Sequence, residues 1–206
     1  MHGSIRYVNE EIPRAAAMEN STMLGVGITP EGIHQNYVVY EFTLEKAWQH
    51  KQINHKKWVK FFSSVRYGFD SVQIEHAWLL LLKSVYAFEG SQNIRGKYTY
   101  CRRPSLNLKP WKWYDEKYVK KALKKFITIA LNETAPVPIN KLFRRDLVDL
   151  TRQFLQNKAD TIYVALVNAF RVKKDVKQFD LISQQFLDLL NDLDSMLGTL
   201  NGLETS

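Results

Sequence analysis

The 206-residue sequence has one cysteine, Cys101. A single thiol excludes an intrachain disulfide framework and any four-cysteine metal site. The histidines, His2, His34, His50, His55 and His76, show no pairing with cysteine at zinc-ligand spacing, and no Walker or dinucleotide-type glycine loop occurs. No metal or cofactor is therefore expected. Apolar runs of about 18 residues or more are missing too, so nothing is expected to span a bilayer. Neither an internal repeat nor a low-complexity segment is found. Acidic residues are the minority, 21 against 29 basic, which gives a net charge of +8 and a pI near 9.4. That balance suits a polyanion such as nucleic acid, an acidic membrane surface or a sulfated polysaccharide, and equally suits a solvated lysine-rich surface. Charge alone is the motive for a nucleic-acid partner, and none is expected.

Strand-like segments are scarce, while apolar residues recur at three-and-four spacing over long stretches, which predicts a mainly helical protein. Pro13 is expected to stop any early helix, leaving a short turn at Arg14 to Met18. Thr22 to Ile28, TMLGVGI, reads as a short buried strand, because Gly25 and Gly27 each cost about 1 kcal/mol in a helix. Helices are predicted from a cap at Asn36, over His55 to Tyr67 with Gly68 as stop, and over Ser71 to Phe88, where AWLLLLKSVYAF is apolar on nearly every side. Trp58, Phe61, Phe62 and Val65 supply the apolar stripe of the second. Residues 89 to 114 form a long basic and aromatic loop. A lysine-rich helix follows from Asp115 to Leu131, with Tyr118, Ala122, Leu123, Phe126, Ile127 and Ala130 facing inward. Two long helices, Lys141 to Val172 and Val176 to Leu197, should pack antiparallel.

Three groups of residues could carry chemistry. Glu31 follows the predicted strand and precedes a helix; a carboxylate there can be a reacting group, as on the loops of parallel α/β barrels, or a charge favourable to the helix dipole. The loop holds Arg102 and Arg103 among Tyr98, Tyr100, Trp111 and Trp113. It could bind sugar rings or unpaired bases, or its tryptophans could plug the end of a bundle while its arginines pair with acids. Lys117, Lys120, Lys121, Lys124 and Lys125 share one helix and could attract sulfate or phosphate, or be a solvated face. Asn20 and Asn132 open N-x-Ser/Thr tripeptides, which chance also produces.

NSTMLGVGITPEGIHQNYVVY (Asn20 to Tyr40) resembles the α-N-acetylglucosaminidase segment in which an acceptor tripeptide precedes a Gly-x-Gly strand and a Pro-Glu-Gly-Ile turn. The likeness continues through AWLLLLKSVY (Ala77 to Tyr86), RRPSLN (Arg102 to Asn107), the aromatic pair Trp113 and Tyr114, and DLVDLTRQ (Asp146 to Gln153), in the family's order. The resemblance implies a lysosomal glycoside hydrolase that removes terminal α-linked N-acetylglucosamine from heparan sulfate with retention, through a nucleophile and an acid/base carboxylate about 5 to 5.5 Å apart. It puts the nucleophile on Glu31, with Gln35, Asn36, Arg102 and Arg103 as substrate-binding candidates and Asn20 and Asn132 as glycosylation candidates.

It also divides the chain: residues 1–36 are a strand and loop remnant from the end of a (β/α)8 barrel, and residues 37–206 an all-helical C-terminal domain. The family's acid/base glutamate stands in an Asn-Glu pair on an earlier strand. Asn9-Glu10 lies too close before Glu31, and Asn132-Glu133 lies beyond it, so neither matches. Met1 then reads as an internal methionine of a longer ancestor, and the chain as the final third of an enzyme, expected to be inactive alone. No secretion signal is read at the N-terminus, so the chain as it stands is expected in the cytosol although its family is lysosomal. Departures from the family pattern fall at His34, Tyr37 and Arg145, the last where an aromatic residue is usual. The rival reading is a non-catalytic helical module binding an acidic glycan or a protein partner; self-association stays open.

Overall fold

The computed structural model describes residues 1–30, 35–49, 51–89, 96–132 and 139–204, with side chains through residue 199. Among the described residues it is helical: α1 (Ile5–Ala16), α2 (Tyr37–Lys46), α3 (His55–Tyr67), α4 (Val72–Leu82), α5 (Glu116–Ala130), α6 (Lys141–Asn168) and α7 (Val176–Glu204). Most helix starts follow from local chemistry. Ser4, Asn54, Ser71, Asp115 and Asn140 each turn a side-chain oxygen onto a backbone N–H of the first turn, which satisfies donors that have no intrahelical partner. Gly68 ends α3 with φ 76, a left-handed conformation that glycine adopts without a Cβ penalty.

Pro13 does not prevent α1, which runs through it. A proline so near the C-terminal end removes one backbone bond, to Asn9, while Ser4 caps the start and Ile5 is fully buried. Asn36 sits before α2 as expected, but in the left-handed region at φ 52, and its side chain does not cap the helix. The expected strand at 22–28 is not formed. Residues 21–30 are mostly exposed, with Leu24 wholly so, and no described strand pairs with them. A lone extended segment has no ladder partner, so its backbone is left to water.

One core unites α1 to α6. Ile5, Val38 and Phe42 are buried in the same cluster as Trp58, Phe62, Trp78, Leu81, Phe126, Phe143 and Leu150. Its centre is aromatic: Trp58 stacks on Phe62 at 4.9 Å, Phe62 meets Trp78 edge-on at 5.1 Å, and Phe126 meets Phe143 at 5.1 Å. Such geometries add about 0.5–1.5 kcal/mol per pair beyond area burial. The apolar stripe expected on α3 is rotated, with Val59 buried and Phe61 and Val65 exposed. On α5, Val119 is buried in place of Ile127. α6 ends in a wider π-helical turn, Ala169–Lys173, from which α7 folds back along it. A second, smaller core of Ala159, Leu189 and Leu193 lies between them.

The N-terminus is tied to the end of α4. Ile5 N–H donates to Tyr86 C=O at 3.1 Å and Phe88 N–H to Gly3 C=O at 3.2 Å. Gly3 has φ 145, and a Cβ there would fall 2.7 Å from Val39 Cγ2, so this crossing requires glycine. Inside α1, Asn9 accepts from Ile53 N–H at 2.8 Å and donates to Ile53 C=O at 3.0 Å. Its amide thereby joins α1 to the segment before α3.

α6 buries polar side chains as well as apolar ones. Leu150 is buried, but so are Asp146, Gln153, Gln156, Asn157 and Asp160, a polar stripe at helical spacing. Each finds a partner. Asp146 accepts from Arg66 Nε at 2.5 Å, Arg66 Nη2 at 2.9 Å and the Tyr67 hydroxyl at 2.7 Å, and Trp78 donates to that hydroxyl at 3.0 Å. Burial works against the Arg66 cation, and the bond and charge of Asp146 outweigh it and raise its pKa. Gln153 and Asn157 hold the Tyr114 hydroxyl, Gln156 accepts from Tyr100, and Asp160 accepts from both the backbone and hydroxyl of Thr99.

Candidate functional site

A cleft of about 520 Å³ lies where the N-terminal segment, the start of α2 and the 96–114 loop converge. Pro30 and Gln35 both line it, so the chain enters and leaves the Glu31 segment at its rim. Glu31 itself, with residues 32–34, lies outside the described residues. Tyr98 and Trp113 wall the cleft from the loop, and Tyr40 and Thr43 from α2. Lys97 and Trp111 exchange backbone bonds of 2.7 and 3.0 Å, which closes the loop and brings Tyr98 beside Trp113. Tyr114 then anchors the loop to α6, and its hydroxyl lies 3.3 Å from that of Tyr98.

His2 supplies the inner wall. Its ring meets those of Phe88 and Trp113, each at 4.9 Å, and its backbone N–H donates to Asn36 Oδ1 at 2.9 Å. That bond explains why Asn36 does not cap α2: its side-chain oxygen is turned across to the N-terminal segment. Thr43 spends its hydroxyl on Val39 C=O at 2.7 Å. Aromatic side chains and a few polar groups line the walls, a combination suited to a ring bearing hydroxyl or amide substituents.

The expected binding residues divide. Gln35 and Asn36 line the cleft; Arg102 and Arg103 do not, and both are exposed on the outer turn of the loop. Tyr98, Tyr100 and Tyr114 face inward because their hydroxyls join the α6 stripe, which leaves the arginines in water. Asn9 is occupied by Ile53, a structural role. Asn20 is exposed with φ 59, and Asn132 follows α5. Lys117 pairs with Asp115 at 2.6 Å and Lys125 donates to Gln73 at 2.6 Å, whereas Lys120, Lys121 and Lys124 are exposed. His2 and Tyr40 were missed as wall residues, since nothing in their spacing marks them; the aromatic content of the loop did mark Tyr98 and Trp113. Among the described residues, no group of three or more His, Cys, Asp or Glu side chains is placed to hold a metal ion, and no helix is long and apolar enough to cross a membrane.

Residues 58–204 match the family model for the C-terminal domain of α-N-acetylglucosaminidase (NAGLU), and residues 1–50 match the model for its TIM-barrel domain. The chain belongs to the α-N-acetylglucosaminidase family. It is 36% identical to human α-N-acetylglucosaminidase over 178 residues, covering 84% of this chain and 23% of the human protein. Its fold resembles a family 89 glycoside hydrolase from Clostridium perfringens solved with 2-acetamido-1,2-dideoxynojirimycin, with a TM-score of 0.82 and 27% identity over 93% of this chain and 22% of that one. A form of the Clostridium perfringens enzyme with two Glu→Gln changes, in complex with its substrate GlcNAc-α-1,4-galactose, matches at a TM-score of 0.78 and 27% identity, again over 93% and 22%. The chain thus spans less than a quarter of the length of these α-N-acetylglucosaminidase relatives. The barrel-model match extends through α2, whose Val38 and Phe42 share the core of the helical part.

Proposed function

We propose that these residues form the C-terminal part of an α-N-acetylglucosaminidase-type glycoside hydrolase, with residues 1–36 contributing the end of the catalytic barrel and 37–206 the helical domain. Glu31 is the nucleophile of a retaining mechanism. It attacks the anomeric carbon of a terminal α-linked N-acetylglucosamine, and the leaving oxygen takes its proton from a second carboxylate that these 206 residues do not supply. The observation that carries this reading is the cleft, whose rim holds the residues on both sides of the Glu31 segment and whose walls are Tyr98 and Trp113. Gln35 at the rim hydrogen-bonds the sugar, and Asn36 holds the rim to His2. Arg102 and Arg103, outside the cleft, meet the more distant acidic parts of a heparan sulfate chain. Asn20 and Asn132 accept glycans, and the assembled enzyme resides in the lysosome.

By themselves the 206 residues do not turn over substrate. A missing acid/base group alone forfeits about 10² to 10⁴-fold. The test joins this chain to the upstream barrel of the human enzyme and follows an aryl α-N-acetylglucosaminide. Activity that falls to background on Glu31→Gln supports the assignment; activity kept by that variant excludes it.

A second reading, a module that binds acidic glycan without catalysis, is favoured by the exposed Lys120, Lys121 and Lys124. It requires heparan sulfate affinity that falls with salt and on charge reversal of these lysines, and that ignores Glu31→Gln.

A further inference from the structure

Tyr37 and Arg145 are far apart in sequence and meet in the fold. The Arg145 guanidinium carbon lies 5.4 Å from the centroid of the Tyr37 ring, and that of Arg66 lies 5.3 Å from the same centroid. Arg66 is in turn fixed by Asp146, the neighbour of Arg145 on α6. A planar guanidinium over an aromatic face is attracted by the ring quadrupole and loses little freedom in stacking.

The contact falls at a sensitive place. Tyr37 opens α2, directly after Asn36 in its left-handed conformation, and Gln35 and Asn36 line the cleft. The first turn hangs on Asn36, whose carbonyl accepts from Val39 N–H at 2.9 Å and Tyr40 N–H at 3.3 Å. We propose that Tyr37 and Arg145 are a matched pair of positioning residues: their stacking locks the first turn of α2 to α6 and so fixes the backbone of Gln35 and Asn36 at the cleft. Its catalytic consequence rests on the reading of Glu31 given above, because Gln35 follows Glu31 by four positions in the sequence.

Native-state amide exchange on the 206-residue chain tests the pair without requiring activity. Tyr37→Leu and Arg145→Met should each raise the opening of the Val39 and Tyr40 amides by about 3- to 10-fold. The double variant should exceed the larger single effect by no more than about twofold, as contacting residues couple. Arg145→Lys, which keeps the charge but not the planar stack, should fall between. Fully additive effects, or no effect of Arg145→Met because Arg66 alone holds the ring, overturn the pair.

A second arm uses this chain joined to the upstream barrel of human α-N-acetylglucosaminidase. Tyr37→Leu or Arg145→Met should lower kcat about fivefold or more at nearly constant KM, since misplacement of a reacting group acts on the transition state. The double variant should lower it little further. Unchanged kcat, or a joined protein without activity, overturns the link to the reacting carboxylate while the pair, read by amide exchange, stands.

Discussion

Asp146→Asn probes the bond on which the joint between α3 and α6 depends. The carboxylate receives three hydrogen bonds, two from Arg66 and one from Tyr67, and both charged side chains are nearly inaccessible, at 5% and 11%. An asparagine keeps the shape but removes the charge and turns an N–H₂ group toward a guanidinium that also donates. Breaking one side of a buried pair costs about 3–5 kcal/mol. Glu41, 3.1 Å from Arg66 Nη1 and half exposed, still offsets part of the orphaned charge, which places the expected loss near 3 kcal/mol, the low end of that range. For a protein of this size each kcal/mol shifts Tm by about 2–4 °C, so the melting point should fall by about 6–12 °C.

Urea unfolding followed by tryptophan fluorescence gives the free energy, and calorimetry the melting point. Glu41→Gln serves as the control and should cost under about 1 kcal/mol, as expected for a partly exposed pair. The double variant Arg66→Met with Asp146→Leu should recover most of the loss, because removing both charges leaves no unpaired ion in the core. A loss below about 1 kcal/mol for Asp146→Asn, or no recovery in the double variant, would refute the reasoning.

Other substitutions test separate joints. Asn9→Leu strands both backbone groups of Ile53 and should cost about 2–3 kcal/mol by urea unfolding. Lys46 is buried with its ammonium on the carbonyls of Gln49 and Lys51, and Lys46→Met should cost about 1.5–3 kcal/mol in the same assay. Burial lowers the His55 pKa from its usual 6.5 and outweighs the opposing pull of Glu10, while the Asn9 amide points at its ring nitrogen at 3.1 Å. The folded state therefore binds this proton more weakly than the unfolded chain does. Its contribution is complete above pH 6.5 and is lost as the pH falls from there through the lowered value. His55→Gln should flatten that part of the stability–pH curve relative to the parent protein.

Helices whose starts carry Ser, Asn or Asp and whose apolar residues recur at three and four were readable from sequence, and α3 begins and ends where predicted. α1 was not, because the cost of Pro13 is local and small beside the burial of Ile5 and the side-chain bonds of Asn9, neither of which a linear pattern reveals. The 22–28 segment reads as a strand by composition, yet a strand exists only where another strand accepts its hydrogen bonds. The polar stripe of α6 was hidden for the opposite reason: Asp146, Gln153, Gln156 and Asp160 look like a solvated face until Arg66 and the 96–114 loop fold over them. The same loop made the site half legible. Two of its aromatic residues, Tyr98 and Trp113, line the cleft on which Gln35 and Asn36 also fall, but the direction of Arg102 and Arg103 was set by tyrosine hydroxyls reaching α6. The role proposed for Glu31 comes from resemblance, since spacing alone did not single out a reacting group over a charge favourable to the helix dipole.

Under the proposed function, this chain brings a glycosidase nucleophile without the carboxylate that must work with it. Incubating the purified 206-residue chain with an aryl α-N-acetylglucosaminide, beside its Glu31→Gln variant, tests this most directly. Release of the aryl group at the rate of buffer is expected for both proteins. Turnover by the parent chain that disappears in Glu31→Gln would contradict it, because a complete catalytic pair would then lie within these residues.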